Sequence, residues 1–171
     1  MYRIYIMLFG CLFSSGAVSG ELIGNTFIGE KSGYIEIQSP GGKWQIEDRE
    51  GQGRAIANLT SKDSIKGSRP TILFQSVPKM GEMTADEITQ ITRSVFEKQG
   101  FQNGPIEVKR YSGKPVATYH SSMSKDGVKV LMYVFILDGQ KSFFLVSATA
   151  PEVAYEAAKP LFEEVIEKLK Y

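Results

Sequence analysis

The sequence predicts an α+β domain: a mostly antiparallel sheet of about six strands flanked by two principal helices. The expected order is three strands, a helix, three or four strands and a terminal helix. Three observations carry this reading. Thr84 and Glu87 form a capping box ahead of Ile88, Ile91, Val95 and Phe96, which recur at helical spacing. Val128 to Leu137 is apolar at nearly every position, so both of its faces need cover and it belongs at the centre of a sheet. The turns "KDG" and "DGQK" are short and carry Asp-Gly, which joins antiparallel neighbours as hairpins.

Residues 1–20 read as a secretory signal. Arg3 and the free amino terminus supply the positive start, and Ile4 to Phe13 supplies an apolar centre that Ser14 to Ala17 ends. That run is too short for a permanent span, which takes about 20 apolar residues. Ala17 and Ser19 are the small residues expected at −3 and −1. They place the cut between Ser19 and Gly20, with a cut after Gly20 nearly as good. The alternative is a lipoprotein cut before Cys11, since "LFGC" has Leu8 at −3 and Gly10 at −1.

Removing the leader takes away one arginine, no acid and the only cysteine. The chain carries 20 basic and 19 acidic residues in all, so what remains is formally neutral. A neutral chain with interspersed signs gives no reason to expect nucleic acid or an acidic membrane surface as partner. Without cysteine there is no disulfide and no thiol nucleophile, so the exported chain must be held by its core. Its length suits one domain, burying roughly two-thirds of the unfolded surface.

Residues 21–33 show no clear period and contain glycine and asparagine breakers; they read as an N-terminal strap. "YIEIQ" alternates as a strand, "SPGGKW" turns, and "KWQIE" resumes extended structure. "DREGQGR" reads as a polar loop, and "RAIANLT" and "TILFQSV" as two further strands. The capped helix runs from Thr84 to Gly100, which suits a left-handed cap. "PIEVKRY", "VATYHSSMS", "VKVLMYVFIL" and "SFFLVSATA" follow as strands. The terminal helix keeps Ala154, Ala158, Leu161, Val165 and Leu169 on one face, with a kink or a short first helix expected at Pro160.

The "PGGKW" turn, the helix "TADEITQITRSVFEKQG", the strand "GKPVATYH" and the strand "FFLVSATAP" leading into the terminal helix resemble the PsbP-like domains. The resemblance spans about Tyr34 to Leu169, which makes residues 34–171 one domain. It implies an antiparallel sheet flanked by helices, a fold shared with a small nuclear import factor that binds the Ran GTPase. It also implies extracytoplasmic proteins, many of them lipoproteins, with accessory or binding roles rather than catalytic ones. In the photosystem branch it implies support of calcium and chloride at the oxygen-evolving centre.

Candidate chemistry is sparse. His120 is the only histidine and lies in the alternating "ATYHSS", where a solvated strand face is expected. As a base it would need a serine nucleophile, and no G-x-S-x-G elbow exists to present one. One histidine and no cysteine past the leader exclude the usual zinc sets. "DREGQGR" and "EKQGFQNG" bring carboxylates near glycines but lack the alternating spacing of a calcium loop. Of the strand aromatics Tyr34, Trp44, Phe74 and Tyr111, only Trp44, beside the flexible "PGGK" turn, is expected near an edge. "KMGEM" offers two thioethers, a poor copper site.

The sequence thus predicts an exported, periplasmic or secreted binding or accessory protein without catalytic residues, cofactor or metal. The expected partner is another envelope protein. The alternatives are a membrane-tethered lipoprotein anchored at Cys11, and a small hydrolase using His120.

Overall fold

The computed structural model describes residues 20–31 and 33–171. The leader and Cys11 lie outside the described residues, as does the Ser19 side of the expected cut. The architecture is α+β, as the sequence predicts, with more strands than the six expected. A three-stranded antiparallel sheet comprises β1 (Glu21–Ile23), β2 (Thr26–Gly29) and β3 (Ile35–Gln38). The main sheet has eight strands: β4 (Trp44–Gln52), β5 (Ala55–Ser61), β6 (Thr71–Pro78), β7 (Gln102–Asn103), β8 (Glu107–Tyr111), β9 (Lys114–Lys125), β10 (Val128–Asp138) and β11 (Ser142–Pro151). Helix α1 (Ala85–Lys98) separates β6 from β7, and α2 (Glu152–Glu167) follows β11.

The unexpected strands have physical causes. The strap region carries β1 and β2, hairpinned at Gly24–Asn25, where Gly24 has φ +58°. The breakers that hide a period there make the turn, and Phe27 beyond it is fully buried. All of "DREGQ" belongs to β4: Asp48 still pairs with Ala57, and after a bulge Gln52 pairs with Ala55. β7 is two residues long, too short to show a pattern.

The sheet order is β4-β5-β6-β11-β10-β9-β7, with β8 pairing the first half of β9. β4–β6 form one meander and β8–β11 another. They meet at an antiparallel seam between β6 and β11, where Leu145 stands opposite Gln75 and Val146 opposite Phe74. β10 lies between β9 and β11, so its apolar run is covered on both faces as expected. Tyr133, Phe135 and Leu137 face α2 and the small sheet; Met132, Val134 and Ile136 face α1.

The larger core packs Ala154, Ala158, Phe162, Val165 and Ile166 of α2 against the main sheet and against Phe27, Ile35 and Ile37. α2 runs unbroken through Pro160, which lies on the exposed side, so the carbonyl deprived of its N–H partner is open to water. Trp44 is not an exposed edge aromatic. It is 2% exposed and lies 6.1 Å from the Phe162 ring, because α2 reaches over the outer strand. Ser39 fixes the turn before it, donating to the Trp44 carbonyl and accepting from the Trp44 N–H, both at 2.9 Å.

α1 is rotated from the stripe its apolar residues suggest. The capping box is present: Glu87 N–H donates to Thr84 Oγ1 at 3.2 Å and Thr84 N–H to Glu87 Oε2 at 2.8 Å. Ile88 and Phe96 are buried as expected, but Ile91 is 49% exposed and Val95 only partly covered. Thr89 and Thr92 take their place. Their hydroxyls donate to the carbonyls of Ala85 and Ile88 at 2.6 and 2.7 Å, so these side chains enter the core with their polarity satisfied.

Candidate functional site

His120 sits in the middle of β9, facing α2 rather than solvent. Its ring stacks on Tyr133 of β10 at 4.3 Å, and its Nδ1 lies 2.6 Å from the Tyr155 hydroxyl on α2. Burial pushes its pKa down, with help from the ammonium groups of Lys159 and Lys109. Burial likewise raises the pKa of Tyr155, which keeps its proton. The hydroxyl and Nδ1 share one hydrogen bond, whose donor is set by the tautomer of the imidazole.

The cluster continues along the same face. Lys109 Nζ donates to the Tyr133 hydroxyl at 2.8 Å, and the Tyr111 hydroxyl is 3.4 Å from that of Tyr133. Tyr111 also donates to Glu163 Oε1 at 3.3 Å, and Lys109 stands 3.8 Å from the same oxygen. Lys109 and Lys159 lie 5.3 and 5.7 Å from the Tyr133 ring centroid, within cation–π range. Alternation along β8, β9 and β10 brings these side chains to one face, and α2 meets them with Tyr155, Lys159 and Glu163 at helical spacing. Chemically this is a zipper: the hydroxyls of Tyr111, Tyr133 and Tyr155, the Lys109 ammonium and His120 Nδ1 each have a neighbouring side chain as partner. The imidazole's side-chain hydrogen bond goes to a tyrosine, not to a serine nucleophile.

Most of the loop carboxylates are engaged, the exception being Glu50, whose Oε1 is buried without a hydrogen-bond partner and whose pKa burial raises. Asp48 Oδ1 accepts the Glu50 N–H at 2.8 Å, Arg49 donates to Glu47 and to Gln52, and Glu97 accepts from Asn103. Among the described residues no three His, Cys, Asp or Glu side chains gather as a metal site. Met80 of "KMGEM" is largely exposed, whereas Met83 packs against the α1-side core.

A second place was not singled out from the sequence. Where α1 turns Ile91 and Val95 away from the core, a cleft of about 70 Å³ opens between the helix and the β6–β11 seam. Val77, Ile88, Ile91, Val95, Phe96 and Leu145 form its apolar walls, with Gln75 and Arg54 also lining it. Gln75 is 6% exposed, and its Oε1 has no hydrogen-bond partner. A buried acceptor left unmade costs about 1–3 kcal/mol. Arg54 stands in the turn after β4; its side chain is exposed and forms no ion pair among the described residues. The available signal was a long polar side chain inside a strand: Gln75 follows the apolar run Ile72–Phe74 of "TILFQSV" at a position that faces α1.

The fold is shared with known proteins. The cyanobacterial PsbP protein of Synechocystis sp. PCC 6803 superposes with a TM-score of 0.58 at 14% identity, over 94% of this chain and 97% of that one. LpqN of Mycobacterium tuberculosis, involved in cell envelope biogenesis, gives 0.59 at 15% identity over 80% and 82%. A Pseudomonas aeruginosa protein of unknown function gives 0.59 at 10% identity over 86% and 98%. The chain therefore has the PsbP-like fold. No protein-family profile matches the sequence, and no curated sequence matches it.

Proposed function

We propose that this chain is an exported, non-enzymatic binding or accessory protein of the bacterial envelope, with another envelope protein as its partner. The observation that carries this reading is the cleft beside α1, which combines apolar walls with a buried acceptor that nothing among the described residues satisfies. Two features support it. The one histidine is occupied by Tyr133 and Tyr155 in a packing role, and a protein of the same fold works in cell envelope biogenesis. Among the described residues no helix is long and apolar enough to cross a membrane.

The test is expression with the native leader in a Gram-negative host, followed by fractionation and intact-mass measurement. A periplasmic product beginning at Gly20 or Glu21 is the expected result. Retention in the cytosol with residues 1–20 attached would overturn export, and an acylated Cys11 start would replace the free form by the tethered alternative. A hydrolase screen with His120→Ala completes the test: unchanged background rates are expected, and a histidine-dependent activity would remove the non-enzymatic reading.

A further inference from the structure

We propose that the cleft between α1 and the β6–β11 seam recognises the chain-terminal aliphatic residue of a partner polypeptide. Its apolar side chain enters between Ile88, Ile91, Val95 and Leu145, its amide N–H donates to Gln75 Oε1, and its carboxylate meets Arg54. The inference deepens the binding-protein reading and rests on it.

Three observations restrict the occupant. The first is size. A cleft of about 70 Å³ has room for about five water-sized atoms, taking roughly 10–15 Å³ for each. An isopropyl or isobutyl group suits the aliphatic walls. The second is the unpaired Gln75 Oε1, more than nine-tenths buried, which calls for a hydrogen-bond donor directly beside the apolar group. The third is Arg54, a planar guanidinium without an acidic partner among the described residues, whose paired N–H groups match a carboxylate. A donor, an apolar branch and a carboxylate attached to one carbon describe the last residue of a polypeptide.

A free N-acylated amino acid has the same chemistry, and the surroundings favour the polypeptide. At Ile91 the cleft meets a broad, open depression lined by Met80, Met83 and Gln90, which offers the preceding residues a surface. Methionines adapt to varied partners because their side chains are unbranched and flexible.

The experiment titrates the isotopically labelled protein with three probes: an N-acetylated hexapeptide ending in leucine, the same peptide with a C-terminal amide, and N-acetyl-leucine. Amide shifts are followed at Gln75, Ile91 and Leu145, with affinities from calorimetry. The acid peptide is expected to bind and the amide to bind about tenfold more weakly, the effect of losing one charge-assisted pair. Arg54→Gln should weaken the acid peptide about tenfold and leave the amide peptide unchanged, a split that a merely structural arginine would not produce. Ile91→Trp, at an exposed position, should fill the cleft and abolish binding without unfolding the chain.

Equal affinity for acid and amide would overturn the proposal. So would the absence of shifts at these three residues at millimolar probe, and N-acetyl-leucine binding as tightly as the hexapeptide would reassign the cleft to a free acid. None of these results touches the broader reading, which stands or falls on the fractionation and the hydrolase screen.

Discussion

His120 Nδ1 lies 2.6 Å from the Tyr155 hydroxyl, tying the middle of β9 to the first turns of α2. Burial around this pair disfavours a charged imidazole. Lys159 and Lys109 add repulsion to any positive charge there, while Glu107 and Glu156 offset part of it. The folded state thus binds the His120 proton less readily than the unfolded chain. The stabilisation is fully present above the unfolded pKa of about 6.5 and is lost as pH falls from there through the lower folded value. Urea titrations from pH 7.5 to 5 should show stability falling on acidification, with a shallower fall in His120→Asn. An identical slope in the two proteins would contradict this.

Phe162 is fully buried and packs near both Trp44, at 6.1 Å, and Tyr155, at 6.4 Å. It joins the outer strand β4 to the rest of the core beneath α2. Phe162→Ala should cost about 3–5 kcal/mol, the range for a buried aromatic truncated to a methyl. Chemical denaturation would measure the loss, and near-ultraviolet circular dichroism should show Trp44 losing its fixed environment.

The cap of α1 is an isolated, exposed device. Thr84→Ala removes the acceptor for the Glu87 N–H and should cost about 1 kcal/mol. The N–H and hydroxyl of Thr84 hold the Glu87 carboxyl below its usual range. In Thr84→Ala an NMR titration of Glu87 should move partway back toward the ordinary carboxylate value.

Ser147 has a buried hydroxyl without a partner on the seam strand β11, opposite Leu73 and Val134. Removing an unmade polar group is neutral or favourable. Ser147→Ala should therefore raise stability by up to about 1 kcal/mol, read as a higher denaturation midpoint at constant m-value. A loss would mean that the hydroxyl holds an internal water.

Elements governed by local chemistry were legible from the sequence. Thr84 and Glu87 sit three apart and needed only each other, and the nearly continuous apolar run of β10 could only be central. What escaped was set by distant partners. Trp44 looked like an edge residue because nothing near it in sequence announces that Phe162 will cover it. Thr89 and Thr92 enter the core because their hydroxyls are satisfied one helical turn back, which leaves Ile91 outside the face its spacing suggests. His120 looked solvated because strand alternation does not say which face a helix will cover. The Gln75 cleft left only the trace of one polar strand residue for a related reason: its walls come from α1, β6 and β11, and its significance lies in a hydrogen bond that is missing.

The seam between β6 and β11 has one more consequence. Gln75 and Leu145 come from opposite halves of the chain and stand side by side only where those halves join. Closing so long a loop is entropically slow. The pocket wall is therefore finished only when the molecule itself is, and a guest lodged there would act as a rivet, holding shut the one junction through which the two meanders could part.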